Sequence, residues 1–173
     1  MSESSHIKQL FLEDSIEQLE QALLKWKNCL DQLSEAQIWW RHHPAGNSLG
    51  NLALHICGNL RQWTLTSLKG EADTRDRQSE FTCQSGLDAD QVYRHLSQAI
   101  QDCVPIIRNL SEQDLTRHYT IQGFEVSGLQ AVNHTVTHFV GHTHQAIFMT
   151  RLQLGDTYRF AWSSQTSSPK LPI

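Results

Sequence analysis

Leu12-Glu-Asp-Ser-Ile16-Glu-Gln-Leu19-Glu-Gln-Ala-Leu23-Leu-Lys-Trp26-Lys-Asn-Cys-Leu30-Asp-Gln-Leu33 decides the fold class. Its apolar residues Leu12, Ile16, Leu19, Leu23, Trp26, Leu30 and Leu33 recur at steps of 4, 3, 4, 3, 4 and 3. Side chains three and four apart share a helix face, so the stretch predicts one long helix with an a/d seam. Such a helix must bury its seam against other elements.

Three further stretches supply partners. The second opens after Pro44 and Gly46 and runs from Asn47 through Leu49, Leu52, Ile56 and Trp63 to Gly70. Val92, Leu96, Ala99, Cys103, Ile106 and Leu110 mark a third, in which Pro105 predicts a kink or an early end. The fourth starts at Ser127, an N-cap with Gln130 completing a capping box, and passes Leu129, Val132, Val136 and Phe139 before Gly155 ends it after Leu154. Almost nothing alternates between them. The expected fold is all-α, a four-helix bundle with long connections after helices two and three, at 71–88 and 111–126. The first connection is short enough to predict that helices one and two are antiparallel neighbours. Ser34-Glu-Ala-Gln37 adds a capping box and a short turn carrying Trp39 and Trp40. We expect one domain over residues 1–160 and a loose tail over 161–173, where polar residues and two prolines dominate.

The composition narrows the function. The chain has 173 residues, with 39% apolar and 18% charged, which suits one globular domain. Its net charge is −4 with no Lys/Arg cluster, which argues against a nucleic-acid surface. No basic n-region precedes an apolar run, and no stretch is apolar enough to span a membrane. Cys29, Cys57, Cys83 and Cys103 form no Cys-x-x-Cys pair, so zinc-ribbon and thioredoxin-like readings fall away. Reduced thiols in the cytoplasm are expected. Histidine is the unusual residue, with ten copies.

Residues four apart on a helix differ by about 40° around its axis, so His138 and His142 in helix four can converge on one ion. His55, beside Leu52 and Ile56 in helix two, lies near the core-facing stripe. Bundle interiors build metal sites in this way, and three imidazoles leave a position open for water or substrate. The competing reading is a set of hydrogen-bonded core histidines. His134 turns about 80° away from His142 and is a weaker candidate. His42, His43, His95 and His118 have no partner at ligand spacing. Phe139 follows His138 where a zincin protease needs glutamate, which excludes that chemistry.

Asn47-Ser-Leu-Gly-Asn-Leu-Ala-Leu-His55-Ile-Cys-Gly-Asn59-Leu-Arg-Gln-Trp63 resembles the second helix of DinB-superfamily proteins. Trp39-Trp-Arg41, Arg75-Asp-Arg77 with Glu80-Phe81, Ile121-Gln-Gly123 and His138-Phe-Val-Gly-His142-Thr-His-Gln145 resemble a bacterial branch of it known as a domain of unknown function. The resemblance spans about residues 10 to 155 in order. It implies a four-helix bundle with a divalent metal, zinc or nickel, on His55, His138 and His142. It also implies thiol S-transferase, thiol-dependent isomerase or metal-dependent hydrolase chemistry on a small molecule, and often a homodimer. Thr137 departs from the branch where an acid is expected, and His144 where glycine is expected.

Around that trio, Asn59 and Gln145 are candidates for hydrogen bonds to ligands or substrate, against ordinary polar pairing within helices. Arg41 and Arg77 are candidates to clamp an anionic cosubstrate such as a low-molecular-weight thiol, against ion pairs with acids such as Asp76. Trp63 is a candidate pocket wall, against simple packing. Cys57 reads as a small buried hydrophobe. Three readings follow: a metal-dependent enzyme, a non-catalytic metal- or small-molecule-binding stress protein, and a bundle used for protein contacts.

Overall fold

Helix α1 spans Glu3–Leu30 in the computed structural model, which describes residues 3–161. Five residues of its stripe within the helix, Leu12, Ile16, Leu19, Trp26 and Leu30, are buried, with Leu23 packed beside them. The helix starts well before the stripe, and there Ile7 and Leu10 are exposed. Short α2 (Glu35–Ile38) carries the expected capping box of Ser34 and Gln37, but it stops at Ile38. Trp39 is its C-cap, and Trp40 lies beyond it.

Helix α3 covers Leu49–Leu60 and continues as π-helix over Arg61–Thr66. Two hydroxyls bond carbonyls of this segment. Thr64 Oγ1 bonds the Leu60 carbonyl and Ser67 Oγ bonds the Gln62 carbonyl at 2.7 Å, competing with the ordinary ladder. Helix α4 (Arg77–Thr82) follows, N-capped by Asp76. Helix α5 (Ala89–Arg108) runs through Pro105 to its last turn, so the early end expected there does not occur. Pro105 lies so near the C-terminus that little regular helix remains after it to break.

Short α6 (Glu112–Thr116) leads into a hairpin of β1 (His118–Ile121) and β2 (Phe124–Ser127), which the sequence reading missed. Gln122 and Gly123, both with positive φ (54° and 83°), make the two-residue turn, the geometry that matches strand twist. Helix α7 (Gly128–Leu154) begins at the capping box of Ser127 and Gln130 and ends at Gly155, as expected.

The four long helices close a ring. α1 packs on α5 and α7, and α3 packs on the same two. The expectation that α1 and α3 are neighbours is therefore corrected, because they stand diagonally. The segment between them is no tight turn. Trp39 lies flat against Gly50, and its indole donates to the Leu87 carbonyl at 3.0 Å, which carries the chain across the end of the helices. The all-α class holds, with the fully buried Trp26 and Phe139 among the largest side chains of the core. Residues 162–173, most of the segment read as a tail, lie outside the described residues.

Candidate metal centre

Ser48 and Asn51 close a capping box at the start of α3, where Ser48 N donates to Asn51 Oδ1 at 3.1 Å. One turn later His55 points from the same helix into the space facing α7. His138 and His142 approach it from consecutive turns of α7, with ring centroids 5.0 and 5.2 Å from that of His55 and 4.6 Å from each other. One ring nitrogen from each lies within 4.8 Å of the others. His55 Nε2 and His138 Nε2 are 3.2 Å apart. Two nitrogens about 2.0–2.1 Å from a tetrahedral zinc would stand about 3.4 Å apart, so the observed pair fits a shared ion.

The other ring nitrogens fit as well. His55 Nδ1 meets Glu80 Oε2 at 2.9 Å, and His142 Nδ1 meets Gln145 Oε1 at 2.9 Å. An oxygen acceptor at Nδ1 places the proton there and turns the Nε2 lone pair toward the other ligands. Desolvation supports the neutral form. Burial, and after it the neighbouring His142, push His138 down to about 3. Burial also lowers His55 against the pull of Glu80, and it lowers His134. Uncharged imidazoles at neutral pH are what metal binding requires.

Glu80 is itself buried, only 6% exposed, and Arg75 grips both of its oxygens. Arg75 Nε donates to Oε1 at 2.7 Å and Nη2 to Oε2 at 2.8 Å. Nη1 reaches Gln62 Oε1 at 2.8 Å, which also accepts from Gln122 Nε2 at 2.6 Å in the hairpin turn. Gly58 makes room for this pair, since a Cβ there would collide with Glu80 Oε1 and lie 2.9 Å from Arg75 Nε. The backbone around Glu80 is held down from α3. Asn51 Nδ2 donates to the carbonyls of Glu80 (2.9 Å) and Cys83 (2.7 Å).

Among the residues singled out from the sequence, the structure brings Gln145 onto His142. It buries Asn59 one turn beyond His55. Trp63 stacks on His134, centroids 3.7 Å apart and tilted by 21°, and the His134 ring lies 5.3 Å from His138. Both Trp63 Nε1 and His134 Nε2 are buried without a partner. Arg41 is turned inward, donating to Asn51 Oδ1 (2.9 Å) and to the carbonyls of Phe81 (3.1 Å) and Cys83 (3.0 Å). Arg77 lies over the Phe81 ring, 5.1 Å from its centroid. Asp76, offered as an ion-pair partner, caps α4 instead. Thr137 is exposed and bonds the Asn133 carbonyl at 2.8 Å within its own helix, while His144 faces outward. Burial raises Cys57 and Cys103 to about 12, which fits inert thiols.

Arg75, Glu80, Gln62 and Gln122 were not singled out. Arg75 and Glu80 stand in a segment quoted for its resemblance, but no helical spacing joins residue 80 to residue 55. The only available signal was a charged pair inside a long connection, the kind of segment that carries function.

The family model described as "Protein of unknown function (DUF1572)" matches residues 6–164. The chain belongs to the DUF1572 family. No curated protein matches it. Solved structures do resemble this DUF1572 chain. A DinB-like protein from Bacillus cereus is 17% identical, with 88% of this chain and 95% of that one covered and a TM-score of 0.66. A conserved protein from Enterococcus faecalis is 17% identical, covering 81% and 95%, with a TM-score of 0.65. A DinB-like protein from Bacillus subtilis is 15% identical, covering 85% and 96%, with a TM-score of 0.63. At such identities the likeness concerns the fold, which is DinB-like. No helix among the described residues is long and apolar enough to cross a membrane.

Proposed function

We propose that this DUF1572 protein binds one divalent ion, zinc or nickel, through His55, His138 and His142, and uses it on a small molecule as a thiol S-transferase or hydrolase. The observation that carries the reading is the convergence of three imidazoles from two helices, two of them with Nδ1 engaged by an oxygen. When bound, the ion supplies Lewis acidity, which makes a nucleophile of a thiol or water at neutral pH. The chain's own residues orient the ligands: Glu80 aims His55 and Gln145 aims His142. Trp63 and His134, stacked on one another beside His138, wall the site on that side.

The test is elemental analysis of protein purified without a metal-affinity tag. About one ion per chain is expected in the wild type, lost in His55→Ala and in His138→Ala. Less than about a tenth of an equivalent in the wild type would overturn the reading. Low-molecular-weight thiols offered with electrophilic acceptors then test turnover. A second reading, a metal- or small-molecule-binding protein without turnover, is favoured by one observation. The carboxylate hydrogen-bonded to the triad, Glu80, is locked behind His55 by Arg75 and is not free to move a proton at the open side. Stoichiometric metal with no thiol- or water-dependent turnover would select it.

A homodimer belongs to the same proposal, supported by Phe148 and Leu152, exposed one turn apart on α7. Sedimentation at micromolar concentration reads the mass directly. A cytoplasmic setting is supported by the four cysteines, which all remain thiols.

A further inference from the structure

We propose that Glu80, clamped by Arg75, is the positioning residue that selects the tautomer of His55, and so decides which nitrogen of that ring is free for an ion. The inference deepens the metal reading above and rests on it for its purpose.

Glu80 Oε2 lies 2.9 Å from His55 Nδ1, on the side of the ring away from His138, while Nε2 is the atom 3.2 Å from His138 Nε2. An ionised carboxylate only accepts, so the hydrogen bond requires the proton on Nδ1. Arg75 Nη2 also lies 3.1 Å from His55 Nδ1, but one nitrogen cannot donate to Glu80 and accept from Arg75 at once, and the carboxylate at 2.9 Å is the nearer partner and a charged acceptor. A free imidazole carries its proton mainly on Nε2, which would block the atom facing His138. The buried carboxylate reverses that preference.

The arrangement is built for the purpose. Arg75 has 4% of its side chain exposed and Glu80 7%, so the ion pair is desolvated and fixed in one geometry. Gly58 leaves the gap that admits it, and Asn51 holds the carbonyl of Glu80 itself. A rival role exists for the same pair: fastening the 71–88 connection to α3 with no effect on the imidazole. The test must therefore read the ring and not stability alone.

The experiment uses the full-length protein labelled with 15N at histidine. Two-bond 1H–15N correlation reads the tautomer of each ring in metal-free protein, and His55→Ala assigns the His55 signals. Zinc affinity is measured by competition with a chelator. In wild type, His55 is expected as the Nδ1–H form, and finding Nε2–H there overturns the proposal without reference to any metal. In Arg75→Met/Glu80→Leu, which removes both charges together and so strands neither, His55 is expected to revert toward Nε2–H. Zinc should then bind about 10–100-fold more weakly. Glu80→Gln, which keeps an acceptor oxygen, is expected to keep Nδ1–H, a rescue that mere fastening does not predict. A double variant that keeps Nδ1–H, or binds zinc within about twofold of wild type, overturns the proposal. Should the wild type take up no zinc, the metal reading fails alone, and the tautomer still decides the role of Glu80.

Discussion

His55 and His142 both hand their Nδ1 to an oxygen, yet those oxygens are held in very different ways. On the α3 side the acceptor is Glu80, 25 residues along the chain, buried and gripped by an arginine from the same connection. On the α7 side it is Gln145, three residues along the same helix and exposed. One ligand is oriented by tertiary structure and the other by helix geometry. Disturbing the first should therefore disturb folding, whereas disturbing the second should change the site and little else.

The largest effect expected from this contrast is in Arg75→Met. It leaves the Glu80 carboxylate buried with only His55 for company, and breaking a buried pair from one side costs about 3–5 kcal/mol. Urea unfolding of the metal-free protein measures it, and a loss under about 1 kcal/mol would mean that the α3 side is no more tied to folding than the α7 side. Gly58→Ala comes next. Its methyl group drives against Glu80 and Arg75, and overpacking of that kind costs about 1–3 kcal/mol. The same denaturation curve reads it, and the wild-type midpoint retained would show that the cradle yields freely.

A pH profile sharpens the comparison further. Burial holds His138 at about 3, and His55 and His134 also below the ordinary imidazole value. Between about pH 6.5 and the folded-state values the unfolded chain takes up protons that the folded chain refuses. Stability of the EDTA-treated protein is therefore full above about pH 6.5 and falls as the pH drops toward 3. Replacing His138 by Asn should flatten that slope, and an unchanged slope would place the uptake elsewhere. The smallest effect belongs to Gln145→Ala. It should leave stability within about 0.5 kcal/mol, as for other exposed positions, while weakening zinc binding by about tenfold. A stability loss equal to that of Gly58→Ala would erase the distinction between the two sides.

The sequence by itself determined the parts that depend on local periodicity. The stripe from Leu12 to Leu33 implied a long helix, Ser127 and Gln130 marked the start of α7, and the spacing of His138 and His142 put two imidazoles on one face. Each is a relation within one helix, fixed by 3.6 residues per turn, and needs no knowledge of what packs nearby. The choice of His55 already leaned on a second helix, and its partner Glu80 could not be reached in that way. Which helices neighbour one another, with α1 and α3 diagonal, is settled by how the connections cross the ends. So is the approach of Arg75 and Glu80 to Gly58, which joins residues from a short helix and a loop to the face of another. A carboxylate 25 residues from its histidine in sequence leaves no period to read, because only the burial of both against α3 gives their contact its energy.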